Sequence, residues 1–223
     1  MAIEGANATL LSANRSVEVL IEKIDSNANK FVSSASEKEF MFELNDQFEV
    51  EWIYENPMKF GIFLEIAIKL LGVRPESEKF SIDSSSFFED GKKIGIGSSS
   101  AISIAITRAM NKYFNLKLDN QKILFCSLEI HNHFQNYTGS GLDVLSSFYA
   151  FPVIECSKSK DNSYKWSQLN IPDEIKIKFV KGSASADTHE MIKRYFSGKL
   201  EHQKFFLEIS KEMRESLKEL SQA

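Results

Sequence analysis

Two glycine-bracketed stretches hold most of the residues able to do chemistry. The first runs Lys93-Ile94-Gly95-Ile96-Gly97-Ser98-Ser99-Ser100 and leads into an apolar helical pattern of Ile102, Ile104, Ala105, Ile106, Ala109 and Met110. Glycines at 95 and 97 let the backbone turn tightly and approach a ligand closely. The serines fall where a helix N-cap and unpaired N–H groups are expected. Two readings fit this stretch: a capped helix after a loop, or an anion site in which orphan N–H groups and the helix dipole face a phosphate. The second stretch spans His131 to Ser147, where Gly139 and Gly141 flank Ser140 and Asp143 follows. Here the carboxylate either caps the next helix or reaches a ligand past a turn without obstructing side chains. His131 and His133 invite a metal reading. Residues two apart on a helix point different ways, however, so the pair cannot share an ion and no zinc site is expected.

The elements that must position these stretches follow from periodicity and punctuation. Residues 15–24 alternate as a strand. Residues 40–44 and 48–54 read as two strands turning at Asn45-Asp46. Asn56 and Pro57 read as the N-cap and first position of a helix that stops at Gly72. Its sequence is apolar on most sides, which predicts deep burial. A short strand at 79–83 and a polar loop at 84–92 lead into the first glycine turn. The helix after that turn ends near Phe114, Asp119 caps another reaching about Gln135, and a third runs from Leu142 to about Phe148. Residues 149–156 and 164–169 read as strands across a polar turn at 157–163. Beyond Pro172 come a strand at 175–180, a small-residue loop at 182–187 and helical stretches at 187–196 and 201–221. The last carries a stripe of Phe205, Phe206, Ile209, Met213, Leu217 and Leu220. The domain boundary is drawn in the Pro-containing linker, between 172 and 173.

Composition narrows the function classes. With 223 residues, the chain is long enough for one large domain or two small ones. A net charge of −4 supplies no basic field for nucleic acid. Cys126 and Cys156 make neither a disulfide framework nor a metal-ligand spacing, and they read as thiols of a reducing compartment. No apolar run reaches membrane-spanning length and no secretory signal is visible. A cytoplasmic protein without membrane or nucleic-acid partners is expected.

With its flanks, Gly95-Ile96-Gly97-Ser98-Ser99-Ser100-Ala101 resembles the second signature of the GHMP kinases, the superfamily of galactokinase, homoserine kinase, mevalonate kinase and phosphomevalonate kinase. The likeness is strongest to the phosphomevalonate kinases. Lys93 stands where that group has a lysine, and His131, Gln135, Gly139, Ser140, Gly141, Asp143 and Val144 match its second glycine pattern. Gly182, Ser183, Ala184, Ser185 and Met191 resemble a later small-residue stretch, and residues 4–19 resemble the early strand pair. The resemblance implies an α+β, GHMP-kinase-like two-layer fold. A ribosomal-protein S5 domain 2-like N-terminal domain with a left-handed βαβ crossover would span 1–172, and a partial ferredoxin-like C-terminal domain 173–223.

The resemblance also implies ATP and Mg2+ as cofactors, and transfer of the γ-phosphate to phosphomevalonate or a related isoprenoid-pathway acceptor. Gly95, Ile96, Gly97, Ser98, Ser99 and Ser100 would surround the nucleotide phosphates. Ser99 would lie near magnesium, with Glu129 as a second ligand; Glu129 reads also as an exposed helix glutamate. Asp143 would serve as base or orienter and Lys93 would counter phosphate charge. His131, Ser140, Gly141 and Ser185 would face the small-molecule substrate. Two family motifs have no counterpart here, the opening lysine-bearing strand and the closing glycine-rich motif. The alternatives are therefore a non-catalytic or incomplete subunit, its C-terminal domain completed by a second copy or another chain, or a fragment of a longer kinase.

Overall fold

A computed structural model describes residues 7–36, 38–159 and 163–172, with isolated positions between 174 and 216. The strands are β1 (Ala8–Leu11), β2 (Glu18–Lys23), β3 (Asn29–Ser33), β4 (Glu39–Leu44), β5 (Val50–Ile53), β6 (Glu78–Asp83), β7 (Phe88–Glu89), β8 (Lys92–Lys93), β9 (Val153–Lys158) and β10 (Tyr164–Gln168). The helices are α1 (Ile62–Leu71), α2 (Ser98–Tyr113), α3 (Asn120–Phe134) and α4 (Leu142–Tyr149). The chain divides into a central unit, Arg15–Tyr137, and a flanking unit built from Met1–Asn14 with Thr138–Ala223. The boundary drawn at 172 lies inside the flanking unit.

In the central unit a five-stranded sheet has the order β2-β6-β3-β4-β5. The β3–β6 pair is parallel and the other neighbours are antiparallel. Phe31, Phe40, Phe42 and Phe80 from the strands meet Leu64 and Ile68 of α1, Ile106 and Met110 of α2, and Ile130 of α3. Three helices thus cover one sheet face, a two-layer solution to burying one apolar face of each element. Each such side chain contributes about 1.5–3 kcal/mol relative to exposure. Leu20, on the central unit's β2, remains 57% exposed.

The β4–β5 hairpin turns as its sequence predicts: the Asn45 side-chain oxygen accepts from the backbone N–H groups of Gln47 and Glu49, both at 3.0 Å. Strand β3 was not expected from sequence. It lies between β6 and β4, with alternate residues buried. The start of α1 is also corrected. Asn56 accepts from the Met58 N–H at 2.6 Å and Met58–Phe60 form a 3-10 turn, so the helix opens at Ile62 with Gly61 as its N-cap. A Cβ on Gly61 would sit 2.6 Å from both Pro57 and Trp52. Close packing of Pro57 and the Trp52 ring at that point leaves room for glycine alone. The end at Gly72 and the Asp119 cap, which accepts from the Lys122 N–H at 2.8 Å, are as predicted.

The flanking unit holds an antiparallel sheet of order β1-β9-β10 with α4 packed on β9 and β1. Because β1 pairs with β9 and β2 with β6, the early strands that resemble a pair belong to different sheets. Strand β9 starts at Val153, not 149, because Tyr149 still belongs to α4 and Ala150 ends that helix in the left-handed region at φ 54°. Tyr149 stacks on Trp166 with ring centroids 3.9 Å apart. The expected strand 175–180, the loop 182–187 with Ser185, the helical stretches 187–196 and 201–221, and with them the C-terminal domain of 173–223, lie outside the described residues apart from isolated positions. Among the described residues no helix is long and apolar enough to cross a membrane.

Candidate active site

The β7–β8 hairpin carries Lys93 and hands the chain to the first glycine turn, which is tied back by the Ile94 N–H donating to the Phe87 carbonyl at 2.9 Å. Gly97, at φ 87°, occupies the N-cap of α2 in the left-handed region, where a side chain would be strained. It offers no side-chain acceptor, and the first turn of α2 holds no acidic residue. The Ser100 hydroxyl donates to the Gly97 carbonyl at 2.6 Å, and the Ser103 hydroxyl to the Ser99 carbonyl at 2.9 Å. The positive end of this helix is thus left without a negative side chain of its own.

Ser99 differs from these neighbours. Its hydroxyl lies 3.3 Å from Nε2 of His131 on α3, and the Gln135 amide nitrogen lies 3.2 Å from the same atom. His131 is fully buried. The substrate contact expected of it gives way to a place behind Ser99. His133 points elsewhere, meeting the Tyr137 ring edge-on at 5.0 Å, and the Tyr137 hydroxyl donates to Glu129 at 3.2 Å. Glu129 stands two residues before His131, so it leaves α3 on a different face from the one meeting Ser99. Among the described residues no group of three or more His, Cys, Asp or Glu side chains could hold a metal.

Lys93 is exposed at the end of the hairpin, yet its ammonium pKa lies below the usual lysine value, first through partial desolvation and then through the charge of Lys59. Lys59 lies in the 3-10 turn before α1 and was not singled out from sequence. Only tertiary structure brings its charge within reach of Lys93. Two ammonium groups that oppose one another are relieved by an anion between them.

The second glycine turn belongs to the flanking unit. Gly141, at φ 74°, is the N-cap of α4, so Asp143 is not the cap but a half-buried member of the first turn. The Ser140 hydroxyl oxygen accepts from the Leu142 N–H at 3.4 Å, and its carbonyl accepts from the Tyr164 hydroxyl at 3.2 Å. Burial, then the charges of Glu155 and Asp143, push the Cys156 thiol up to about 12. This turn is an acidic place, and Cys156 is inert as a nucleophile.

Residues 64–151 match the family described as the GHMP kinases N terminal domain. Over that stretch the chain is similar to a GHMP kinase N-terminal domain. Solved structures agree on the fold. A Listeria innocua protein matches with a TM-score of 0.73 at 20% identity, over 100% of this chain and 67% of that one. Streptococcus pneumoniae phosphomevalonate kinase in complex with phosphomevalonate and AMPPNP matches at 0.69 and 16%, over 99% of this chain and 70% of that one. Methanococcus jannaschii mevalonate kinase matches at 0.66 and 18%, over 97% and 67%. Among curated proteins none matches this chain. Both glycine turns lie inside the stretch matched to the GHMP kinase domain, and the α+β GHMP kinase fold implied by the sequence is the fold found.

Proposed function

We propose that the chain binds magnesium–ATP at Gly95–Ser100 and transfers the terminal phosphoryl group to phosphomevalonate or a related isoprenoid-pathway acceptor. The observation that carries this reading is the opening of α2, a left-handed glycine N-cap ahead of a first turn with no acidic residue. Glycine keeps this turn open: at φ 87° a side chain on residue 97 would be strained, and its Cβ would come within 3.2 Å of the Ser100 hydroxyl oxygen. Magnesium usually enters such sites on the phosphates with one or two protein oxygens, and the Ser99 hydroxyl is an oxygen of that kind. ATP supplies the phosphoryl group. The backbone at the start of α2 holds the phosphates, and Lys93 with Lys59 offsets their charge. Asp143 orients the acceptor. An acceptor that is itself a phosphate is already deprotonated near neutral pH, so positioning and charge neutralisation count for more than a strong base. The acceptor class rests on the likeness to the phosphomevalonate kinase fold.

Isothermal titration of wild type and Gly97→Val with magnesium–ATP, followed by an ADP-release assay with phosphomevalonate, mevalonate, galactose and homoserine, tests the reading. Binding lost in the variant, and turnover on phosphomevalonate, are expected. Equal affinity in the two proteins refutes the site. Binding without transfer to any acceptor favours a non-catalytic subunit.

A further inference from the structure

Strand β10 stands at the edge of its sheet with most of its residues exposed, so it adds little to a core. Its side chains grip a helix instead. Tyr164 and Trp166 are two apart and share one face of the strand. Each meets one end of α4. The Trp166 ring stacks on Tyr149, the last residue of that helix, with centroids 3.9 Å apart. The Tyr164 hydroxyl donates to the Ser140 carbonyl, two residues ahead of the helix, at 3.2 Å. Lys158, paired with Tyr164 across the hairpin, places its ammonium 5.6 Å from the Tyr164 ring centroid and backs that ring.

The two grips hold different things. The stack on Tyr149 holds a side chain. The bond to Ser140 holds a peptide plane, because a carbonyl and the N–H that follows it lie in one plane and point opposite ways. With the Ser140 carbonyl kept toward β10, the Gly141 N–H is turned away from it. Glycine leaves the backbone wide freedom at this point, so the plane needs a partner outside the turn. Gly141 holds its left-handed φ of 74°, and Asp143 follows two residues on.

We infer that Tyr164 is a positioning residue for phosphoryl transfer: by holding the Ser140–Gly141 peptide plane, it fixes the direction from which Asp143 meets the acceptor. The inference rests on the acceptor role proposed for Asp143 above. It gives an exposed edge strand a task, and it puts a residue on which turnover depends in a hairpin that carries no motif.

Tyr164→Phe keeps the ring and removes the donor. Its kcat/KM for phosphomevalonate should fall by about 10- to 100-fold, the scale of a small misplacement near the reacting groups, while calorimetric affinity for magnesium–ATP holds. The Ser140 carbonyl carbon, read by NMR, should move upfield as its hydrogen bond is lost. Trp166→Leu loosens the other end of α4, and it should melt lower yet keep most of its kcat/KM. Unchanged turnover in Tyr164→Phe, an unmoved carbonyl signal, a matching loss of nucleotide affinity, or an equal loss of kcat/KM in Trp166→Leu would overturn the inference and leave the kinase reading standing. Wild type that transfers to no acceptor would overturn both. Should Tyr164→Phe fail to fold, a fluorinated, more acidic tyrosine at position 164 decides. A phenolate cannot donate, so kcat/KM should fall on the alkaline side at a lower pH than in wild type; an identical pH profile sinks the inference.

Discussion

The two glycine turns use one backbone device to opposite electrical effect. Gly97 and Gly141 are both left-handed N-caps without a side-chain acceptor. The helix behind Gly141 carries Asp143 in its first turn, so its positive end is met from within. The helix behind Gly97 has no acid there and has Lys93 nearby in sequence, so its positive end lacks an anion of its own. A glycine turn opening a helix is therefore not a phosphate site by virtue of its shape. What decides is whether the chain has already supplied the negative charge. By this criterion the proposed nucleotide site falls at α2, and α4 is the acid end.

The contrast is broken most severely through Asp143. Asp143→Asn keeps the shape and removes the charge. Turnover should fall by about a hundredfold or more, the usual scale for an acid–base or orienting group. Nucleotide affinity should hold, so kcat and the calorimetric Kd part company. A variant as active as wild type would reduce Asp143 to a carboxylate that steadies its helix.

Substituting the two cap glycines alike sharpens the comparison. Gly97→Val and Gly141→Val each force a β-branched residue to positive φ, and each should cost about 1–3 kcal/mol in denaturant-measured stability. Only the first should abolish nucleotide binding. If both lose affinity in step, the charge criterion fails.

The smallest expected effect is at Lys93. Its pKa is lowered in the fold, so the charged form is disfavoured there. That cost is fully present below the lowered pKa and disappears as pH rises past the ordinary lysine value. Lys93→Met should therefore melt at or slightly above the wild-type temperature near neutral pH, with the gap closing on the alkaline side, even as nucleotide binding weakens. A clear loss of stability would show that Lys93 serves the fold rather than an anion.

Much of this was legible in the sequence, for local reasons. Asn45, Gly72 and Asp119 punctuate the chain through their own side chains or their absence, and each stands where expected; the cap expected among Ser98, Ser99 and Ser100 falls instead on Gly97. Features set by distant partners were not legible. Strand β3 is five residues long and is defined by β4 and β6 on either side. Asn56-Pro57 carries the marks of a helix start, yet it opens a 3-10 turn and the α-helix begins only at Ile62. His131 carries a recognisable motif, yet nothing local says that it lies wholly buried behind Ser99. Lys59 carries no motif, and its charge matters only because folding brings it toward Lys93. Spacing names the atoms of a site, and packing decides which of them meet the ligand.

The insertion of one unit within the other also orders events in time. The Asn7 amide donates to the Glu155 carboxylate at 2.9 Å across 148 residues of chain, and the whole of β1 waits on β9 in the same way. During synthesis β1 emerges before the central unit, and its partner β9 only after it. That unit is continuous in sequence and can close its own sheet meanwhile. Closing β1 onto β9 early would carry the entropy of a very long loop, so a strand made before the central unit finds its place after it.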